Sequence, residues 1–368
     1  MLKVFGLVSF RVYPTLMGGQ KGVALFYKHL QEHANIFLAL SFDNGEPPHV
    51  ESINNLYPNK QIYRNYSRIA ALTKQVKHIQ PDIIIAEHSY TGWIGWQLHR
   101  KTGVPLIIHS HNIESKRFQQ MGKWWWRLYA LYEGWIHRKA QYNFFISEED
   151  KAYALQHFKL DPEECSVVTY GIEKPSIRQD RTSLRKKLGL PTEETVLLFN
   201  GTLDYEPNYE AVQHLVKRIE PILSKSLSNY IIVVTGNRAP AELVQLMAES
   251  RNVVYHGYVD DVNEYYQAAD LFINPVSNDT GVKTKLIEAV ANHCTSLSTV
   301  SGATGIRRDV CGNKLVTVAD DDWHAFSHAI VNLLKTDAGE TPPSFYDHYE
   351  WSNIAKKAAE KMEALVKS

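Results

Sequence analysis

Residues 253–300 read VVYHGYVDDVNEYYQAADLFINPVSNDTGVKTKLIEAVANHCTSLSTV. Three apolar runs, VVYHGY, LFINPV and TSLSTV, are separated by two segments with helical patterning. Strands this apolar on both faces belong to a parallel sheet covered by helices on each side, because a strand with one solvated face would alternate. Going back along the chain, VLLFNG and YIIVVTG extend the same series. An earlier series holds KVFGLVSF, NIFLALSF, DIIIAEH, VPLIIHSH and YNFFIS, again with amphipathic stretches between. Two successive βα series predict an α/β chain of two doubly wound parallel-sheet domains facing a central cleft. The polar, charged segment Gly171 to Pro191 lies between them, which puts the domains at 1–175 and 176–348. In open parallel sheets ligands bind outside the carboxyl ends of the strands, so the loops after strands are where chemistry is expected.

The composition narrows the function classes. The chain has 368 residues, enough for two cores, with 44% hydrophobic and 22% charged residues, as in ordinary globular proteins. Forty basic and forty acidic residues cancel, so nucleic acid is not an expected partner. Cys165, Cys294 and Cys311 are far apart and lack zinc-ligand spacing, which predicts free thiols in a reducing cytoplasm. The opening MLKVFGLVSF reads as a buried first strand rather than a signal peptide. No stretch approaches the roughly 18 apolar residues of a membrane span.

Four loops carry candidate chemistry. MGGQKG (Met17 to Gly22) places Gly18 and Gly19 before a helix, where backbone amides can approach a phosphate. RVYPTLM separates them from the first strand, so this is no dinucleotide fingerprint. HSHNIES (His109 to Ser115) ends a strand with His111, Asn112 and Glu114, groups able to bind sugar hydroxyls or polarise a reacting oxygen. No further ligand follows at helical spacing, so no metal is expected. Gly201 in FNGTLDYEPNYEAV and Arg238 in VTGNRAP sit where a backbone or a guanidinium could meet a phosphate or base. NPVSNDTGVKTKLIEAVANH (Asn274 to His293) is the most informative. Thr280 and Gly281 precede a helix carrying Lys283, Lys285 and Glu288. Lysines in a first helical turn oppose the helix dipole and so point to a local anion. Glu288 suits the two hydroxyls of a ribose.

The order of these motifs resembles the retaining GT-B-fold glycosyltransferases of family 4. The resemblance runs through the glycine pair, HNIE, FISEEDK, VVTYGI, FNGTLDYEPNYEAV, VVYHGYVDDVNEYYQAADLFINPV and GVKTKLIEAVANHCTSLSTVSGATGI. It implies two Rossmann-like domains, an N-terminal one for the acceptor and a C-terminal one for a UDP- or GDP-linked sugar donor. It implies a final helix, 349–368, packing back on the N-terminal domain. Donor-binding roles then fall to Gly18, Gly19, Gly201, Arg238, Thr280, Gly281, Val282, Lys283, Lys285 and Glu288. His111 would bond a hydroxyl of the transferred sugar, and no metal or other cofactor would be needed. Many members carry a glutamate eight positions before Glu288; here Thr280 stands there, and Asp279 beside it is the candidate replacement. Thr202 and Asn208 stand where many members have arginine and lysine phosphate clamps.

The implied reaction moves a sugar to an acceptor hydroxyl with retention, in synthesis of a cell-surface polysaccharide, lipid-linked oligosaccharide or glycoconjugate. The alternatives are a catalytically silent nucleotide-sugar-binding or scaffolding relative and a nucleotide-sugar epimerase. The expected location is cytoplasmic, with peripheral contact at the inner membrane face open. That question rests on Trp124, Trp125 and Trp126, which cannot all point one way on a helix. Spacing joins Trp124 to Leu128 and Leu131, and Trp125 to Tyr129 and Tyr132. Core packing or an acceptor-side wall is the favoured reading. Contact with a membrane or an acceptor lipid, beside Lys116, Arg117, Lys123 and Arg127, is the other.

Overall fold

A computed structural model describes residues 1–15, 18–175, 179–277 and 281–367. The chain divides into two compact units, 1–171 with 349–368, and 172–348. Each is a parallel sheet with helices on both faces.

The first unit has seven strands: β1 (Leu2–Val8), β2 (Ala34–Ser41), β3 (Glu51–Leu56), β4 (Ile83–Glu87), β5 (Leu106–Ser110), β6 (Tyr142–Phe145) and β7 (Cys165–Val167). Its helices are α1 (Gly18–Leu30), α2 (Ile69–Ile79), α3 (Ser89–Thr102), α4 (Glu114–Gln120), α5 (Trp126–His137) and α6 (Glu148–Phe158). The strand order is β3-β2-β1-β4-β5-β6-β7, parallel throughout. Every residue of β4 and β5 is buried, which is why these strands read as unbroken apolar runs.

The second unit contains α7 (Arg181–Leu188), β8 (Thr195–Asn200), α8 (Glu206–His214), α9 (Glu220–Leu223), β9 (Tyr230–Thr235), α10 (Ala241–Ala248), β10 (Val253–Gly257), α11 (Val262–Ala268) and β11 (Leu271–Asn274). Then follow α12 (Thr284–Ala291), β12 (Ser296–Thr299), β13 (Leu315–Val318), α13 (Trp323–Leu333) and α14 (Pro343–Tyr349). Its sheet runs β10-β9-β8-β11-β12-β13, again parallel. The last helix, α15 (Trp351–Lys367), packs on α1 in the first unit. Trp351 there stands against Tyr170 with ring centroids 5.6 Å apart.

Three strands were not evident in the sequence, and each is short or lies at a sheet edge. β3 (ESINNL) is an edge strand whose first three residues are exposed, so it lacks an apolar run. β7 has three residues and β13 four, and both close the far edge of their sheets. Strand order reverses between β1 and β4 and again between β8 and β11, and the crevice at such a switch point is where ligands bind.

Candidate functional sites

In the first unit, the carboxyl ends of β4 and β5 carry a buried polar cluster centred on Glu87, the last residue of β4. Its Oε1 accepts from Tyr27 Oη at 2.7 Å and its Oε2 from His111 Nε2 at 2.5 Å. His109 Nδ1 lies 3.1 Å from Oε2. Gly6 in β1 makes room for this, because a Cβ there would stand 2.7 Å from the Tyr27 hydroxyl. Burial alone would push the Glu87 carboxyl up, but the His109 and His111 imidazoles outweigh it and hold Glu87 well below the usual range. Burial, then the His109 and His88 imidazoles, push His111 down to about 4 against the pull of Glu87. An ionised Glu87 can only accept, so the proton of this contact sits on His111 Nε2. The neutral ring then presents Nδ1 as an acceptor, and Nδ1 has no hydrogen-bond partner among the described residues. This fits a role toward a hydroxyl donor.

His88, directly after β4, has φ 64°, a conformation costing roughly 1–3 kcal/mol outside glycine. Its N–H donates to His109 O at 2.8 Å, and its ring stacks on Tyr90 and lies 4.6 Å from His111. Its Nδ1 is 3.3 Å from buried Glu114, which also binds Arg117. Glu114 is thus buried and ion-paired to Arg117 rather than on an open surface. Its own N–H and that of Ser115 donate to Glu133, each at 2.9 Å. Burial raises Glu133 to about 7. Asn112 is partly buried, and its carbonyl accepts from Ser110 Oγ at 2.8 Å.

Glu87, His109 and His111 also bring one potential metal-ligand atom each within 4.8 Å of one another. A tetrahedral zinc at about 2.0–2.1 Å from its ligands separates them by roughly 3.3 Å. The 2.5 Å contact is a hydrogen bond that such an ion would have to open.

Gly18 and Gly19 begin α1 and are exposed. Nothing lies within 4 Å of a Cβ built on Gly19, so packing does not require glycine there. A cavity of about 620 Å³ opens along α1, lined by Tyr13, Lys21, Leu25 and Lys28 with His49 opposite.

In the second unit, β8, β9 and β11 end at Asn200, Thr235 and Asn274. Asn200 Oδ1, Thr235 Oγ1 and Asn274 Oδ1 are buried and find no hydrogen-bond partner among the described residues. Asn200 and Thr235 are register partners on the last rung of β8 and β9. Buried polar groups normally find partners, so an unpaired set at strand ends is a sign of a ligand or bound water. Sequence reasoning overlooked all three, as it did Glu87. Asparagine or threonine at a strand end is too common to stand out.

Gly201 follows Asn200, and a Cβ there would lie 2.7 Å from the Asn208 side chain. Asn208 Oδ1 accepts from Lys285 Nζ at 2.9 Å, and Asn200 O accepts from the same ammonium at 3.2 Å. Lys285 also lies over the Phe199 ring at 4.2 Å. Burial, reinforced by Lys283, holds Lys285 well below the usual lysine range. Lysine on the first turn of α12 is therefore tied to the end of β8, not free on a helix face. Lys283 is the N-cap of α12, and its Nζ donates to Gly281 O at 3.1 Å. Gly281 takes φ 65° just before it, with Val282 between them, partly buried. Glu288 lies one turn further, partly buried. Arg238, with φ 58°, is ion-paired to Asp204. Its charge is already engaged, contrary to the expectation of a guanidinium waiting for phosphate. Asp279 and Thr280 lie outside the described residues. A cavity of about 750 Å³ in this unit is lined by Thr195, Asp270 and Thr295 at the opposite, amino ends of the strands.

Trp125 packs inward, with ring centroids 4.6 Å from Phe118 and 6.2 Å from Tyr129. Trp124 is 85% exposed, in line with Leu128 at 64% and Leu131 at 72%. Of the two stripes, the Trp124 one is therefore not core.

Residues 18–174 match the family model described as Glycosyltransferase Family 4, and residues 194–336 the one described as Glycosyl transferases group 1. The chain is 23% identical over 284 residues to a D-inositol 3-phosphate glycosyltransferase of Geodermatophilus obscurus, covering 71% of this chain and 62% of that protein. It is 24% identical over 241 residues to an alpha-monoglucosyldiacylglycerol synthase of Streptococcus pneumoniae, covering 59% and 51%. The matches thus span less than two thirds of either relative. Anabaena HepE, solved in complex with UDP, superposes with a TM-score of 0.76 at 15% identity, over 99% of this chain and 100% of that one. At that identity the likeness is one of fold.

Proposed function

Given that this chain belongs to the GT-B glycosyltransferases of family 4 and group 1, we propose that it transfers a sugar from a nucleotide-sugar donor to an acceptor hydroxyl with retention. The observation carrying this reading is the strand-end set of the second unit: three unpartnered buried oxygens beside Gly201, Lys285 and the amino end of α12. The hydroxyls of a donor's ribose and sugar can give the hydrogen bonds these oxygens lack, and its diphosphate suits Lys285 and the amino end of α12. In this reading Glu288 binds the ribose, and Gly281, Val282, Lys283 and Lys285 bind the diphosphate. Asp279 or Thr280 takes the place of the family's first glutamate. Arg238 joins only by exchanging Asp204 for an anion. In the first unit, His111 accepts a hydroxyl of the transferred sugar through Nδ1.

No group described here is placed as a covalent nucleophile. The chemistry is positioning, with stabilisation of charge developing on the departing diphosphate, which takes the acceptor's proton. The reaction needs no metal. The acceptor is a glycan or a lipid-linked chain at the cytoplasmic face of a membrane.

The test is nucleotide release from a panel of UDP-, GDP- and ADP-sugars with candidate acceptors. Turnover should fall roughly 10- to 100-fold on Glu288→Ala and on His111→Ala, the range of one or two charged hydrogen bonds. If one donor binds and none is turned over, the chain is a silent binding relative. A converted sugar formed without acceptor would mean an epimerase.

A further inference from the structure

We propose that the surface running from Met121 to Lys139 docks on an anionic lipid bilayer. Met121, Trp124, Leu128 and Leu131 are 56%, 85%, 64% and 72% exposed, respectively. The last three recur at i, i+4 and i+7, so they line one side of α5 and the turn before it. The opposite side is anchored: Trp125 and Tyr129 pack on Phe118, and Glu133 and Ile136 are buried. An exposed apolar stripe repeating along one side of a helix marks an interaction surface.

Charge identifies the partner. Between Ser115 and Lys139 the sequence has six basic residues and one acidic one, Glu133, which is fully buried. Arg117 is committed to Glu114, and Lys116 lies within electrostatic reach of Asp150 on α6. Lys123, Arg127, Arg138 and Lys139 are exposed and make no ion pair with an acid among the described residues. Arg127 lies over the Trp126 ring, and Arg138 donates to Phe158 O. An aromatic and leucine stripe flanked by cations alone matches the boundary of an anionic membrane, where rings and leucines enter the headgroup layer and cations stay in water. A second copy of this chain is a poor occupant, because a twofold interface would set these cations against themselves.

The docking rests on the proposed transfer only for its purpose, an acceptor presented on a lipid. The surface itself is argued from exposure and charge. Flotation of the full chain with vesicles of phosphatidylglycerol and phosphatidylcholine, against phosphatidylcholine alone, tests it. The chain should float with the anionic vesicles, weakly with the neutral ones, and less at high salt. Each cation contributes roughly a fivefold gain in partitioning, so Lys123→Glu with Arg127→Glu should lower it at least 25-fold. Leu128→Ser with Leu131→Ser should lower it by tenfold or more, and Val366→Ser, an exposed change on α15, should leave it unaltered. Melting curves of all variants should match the parent, since every substituted side chain is exposed. No flotation of the parent, or equal flotation of parent and variants, overturns the proposal. So does a dimer in solution that Leu128→Ser with Leu131→Ser converts to monomer, or a requirement for a protein rather than lipid. Nucleotide release with a water-soluble acceptor is measured on the same variants. If the parent releases nucleotide yet does not float, the docking is wrong and the transfer stands. If flotation succeeds and no donor is turned over, the reverse holds.

Discussion

At the ends of β4 and β5, Glu87 accepts hydrogen bonds from Tyr27, His109 and His111, all within its own unit. At the ends of β8, β9 and β11, three buried oxygens find no donor among the described residues. Both sets sit at the carboxyl ends of parallel strands beside a switch point, so topology does not separate them. Satisfaction does. The first cluster is closed, with the Glu87 oxygens met by donors of the same unit and one ring nitrogen left to offer. The second is open, because part of its hydrogen-bonding capacity is met by nothing among the described residues. A closed cluster is a rigid mount for a single contact, whereas an open one can gain its missing partners from a ligand or bound water.

The largest effect should come from breaking the closed cluster. Glu87→Ala leaves Tyr27 Oη and two imidazoles buried around a cavity. It should destabilise the protein by about 3–5 kcal/mol, the usual cost of removing one partner from a buried charged network. Urea unfolding, followed by tryptophan fluorescence, measures this. Glu87→Gln keeps the shape and one acceptor and should cost less than half as much. If Glu87→Ala costs under about 1 kcal/mol, the network is not the mount described here.

Much of this contrast was beyond the sequence, for physical reasons. The two sheets were legible because β4, β5, β8, β9 and β11 are apolar on both faces, and only burial between helix layers produces that pattern. His111 stood out because HNIE follows a strand. Its orienting partner did not. Glu87 comes 24 residues earlier, and a carboxylate ending a strand gives no sign that Gly6 admits a tyrosine or that two later histidines fold over it. The partners of Lys285 were hidden for the same reason. A lysine in a first helical turn suggests a waiting anion site, and nothing in its spacing shows that its ammonium meets Asn208 of α8 and the backbone oxygen of Asn200 at the end of β8, 77 and 85 residues earlier. Sequence spacing shows what lies on one helix face, and it is silent on what the neighbouring strand end presents to that face.

The open cluster should reveal itself through protons. Burial and Lys283 hold Lys285 below the ordinary lysine value of 10.5, so some of it is neutral in the free protein at a pH where an exposed lysine is charged. A diphosphate beside it favours the ammonium. The bound state then carries more protons than the free state, and nucleotide affinity should fall as pH rises through the depressed lysine range. Binding should take up a fraction of a proton, measured by calorimetry in buffers of different ionisation enthalpy. The expected loss is several-fold per pH unit, at most tenfold for one coupled proton. Affinity that is flat or rises over that range would mean Lys285 does not face the anion.

The smallest effect is the most discriminating between closed and open. Thr235→Val replaces a buried hydroxyl with a methyl of nearly the same shape, and Thr235 Oγ1 has no partner to lose among the described residues. An unpaired buried polar group carries its desolvation cost without return. The valine variant should therefore be as stable as the parent or more stable by up to about 1 kcal/mol in the absence of ligand. The nucleotide should tell the two apart: its stabilisation of the parent, seen as a rise in melting temperature with UDP, should shrink in the variant if the hydroxyl bonds the ligand. A variant that loses 1 kcal/mol or more without ligand would show that the hydroxyl already serves the fold. The two strand-end clusters would then be alike, both closed.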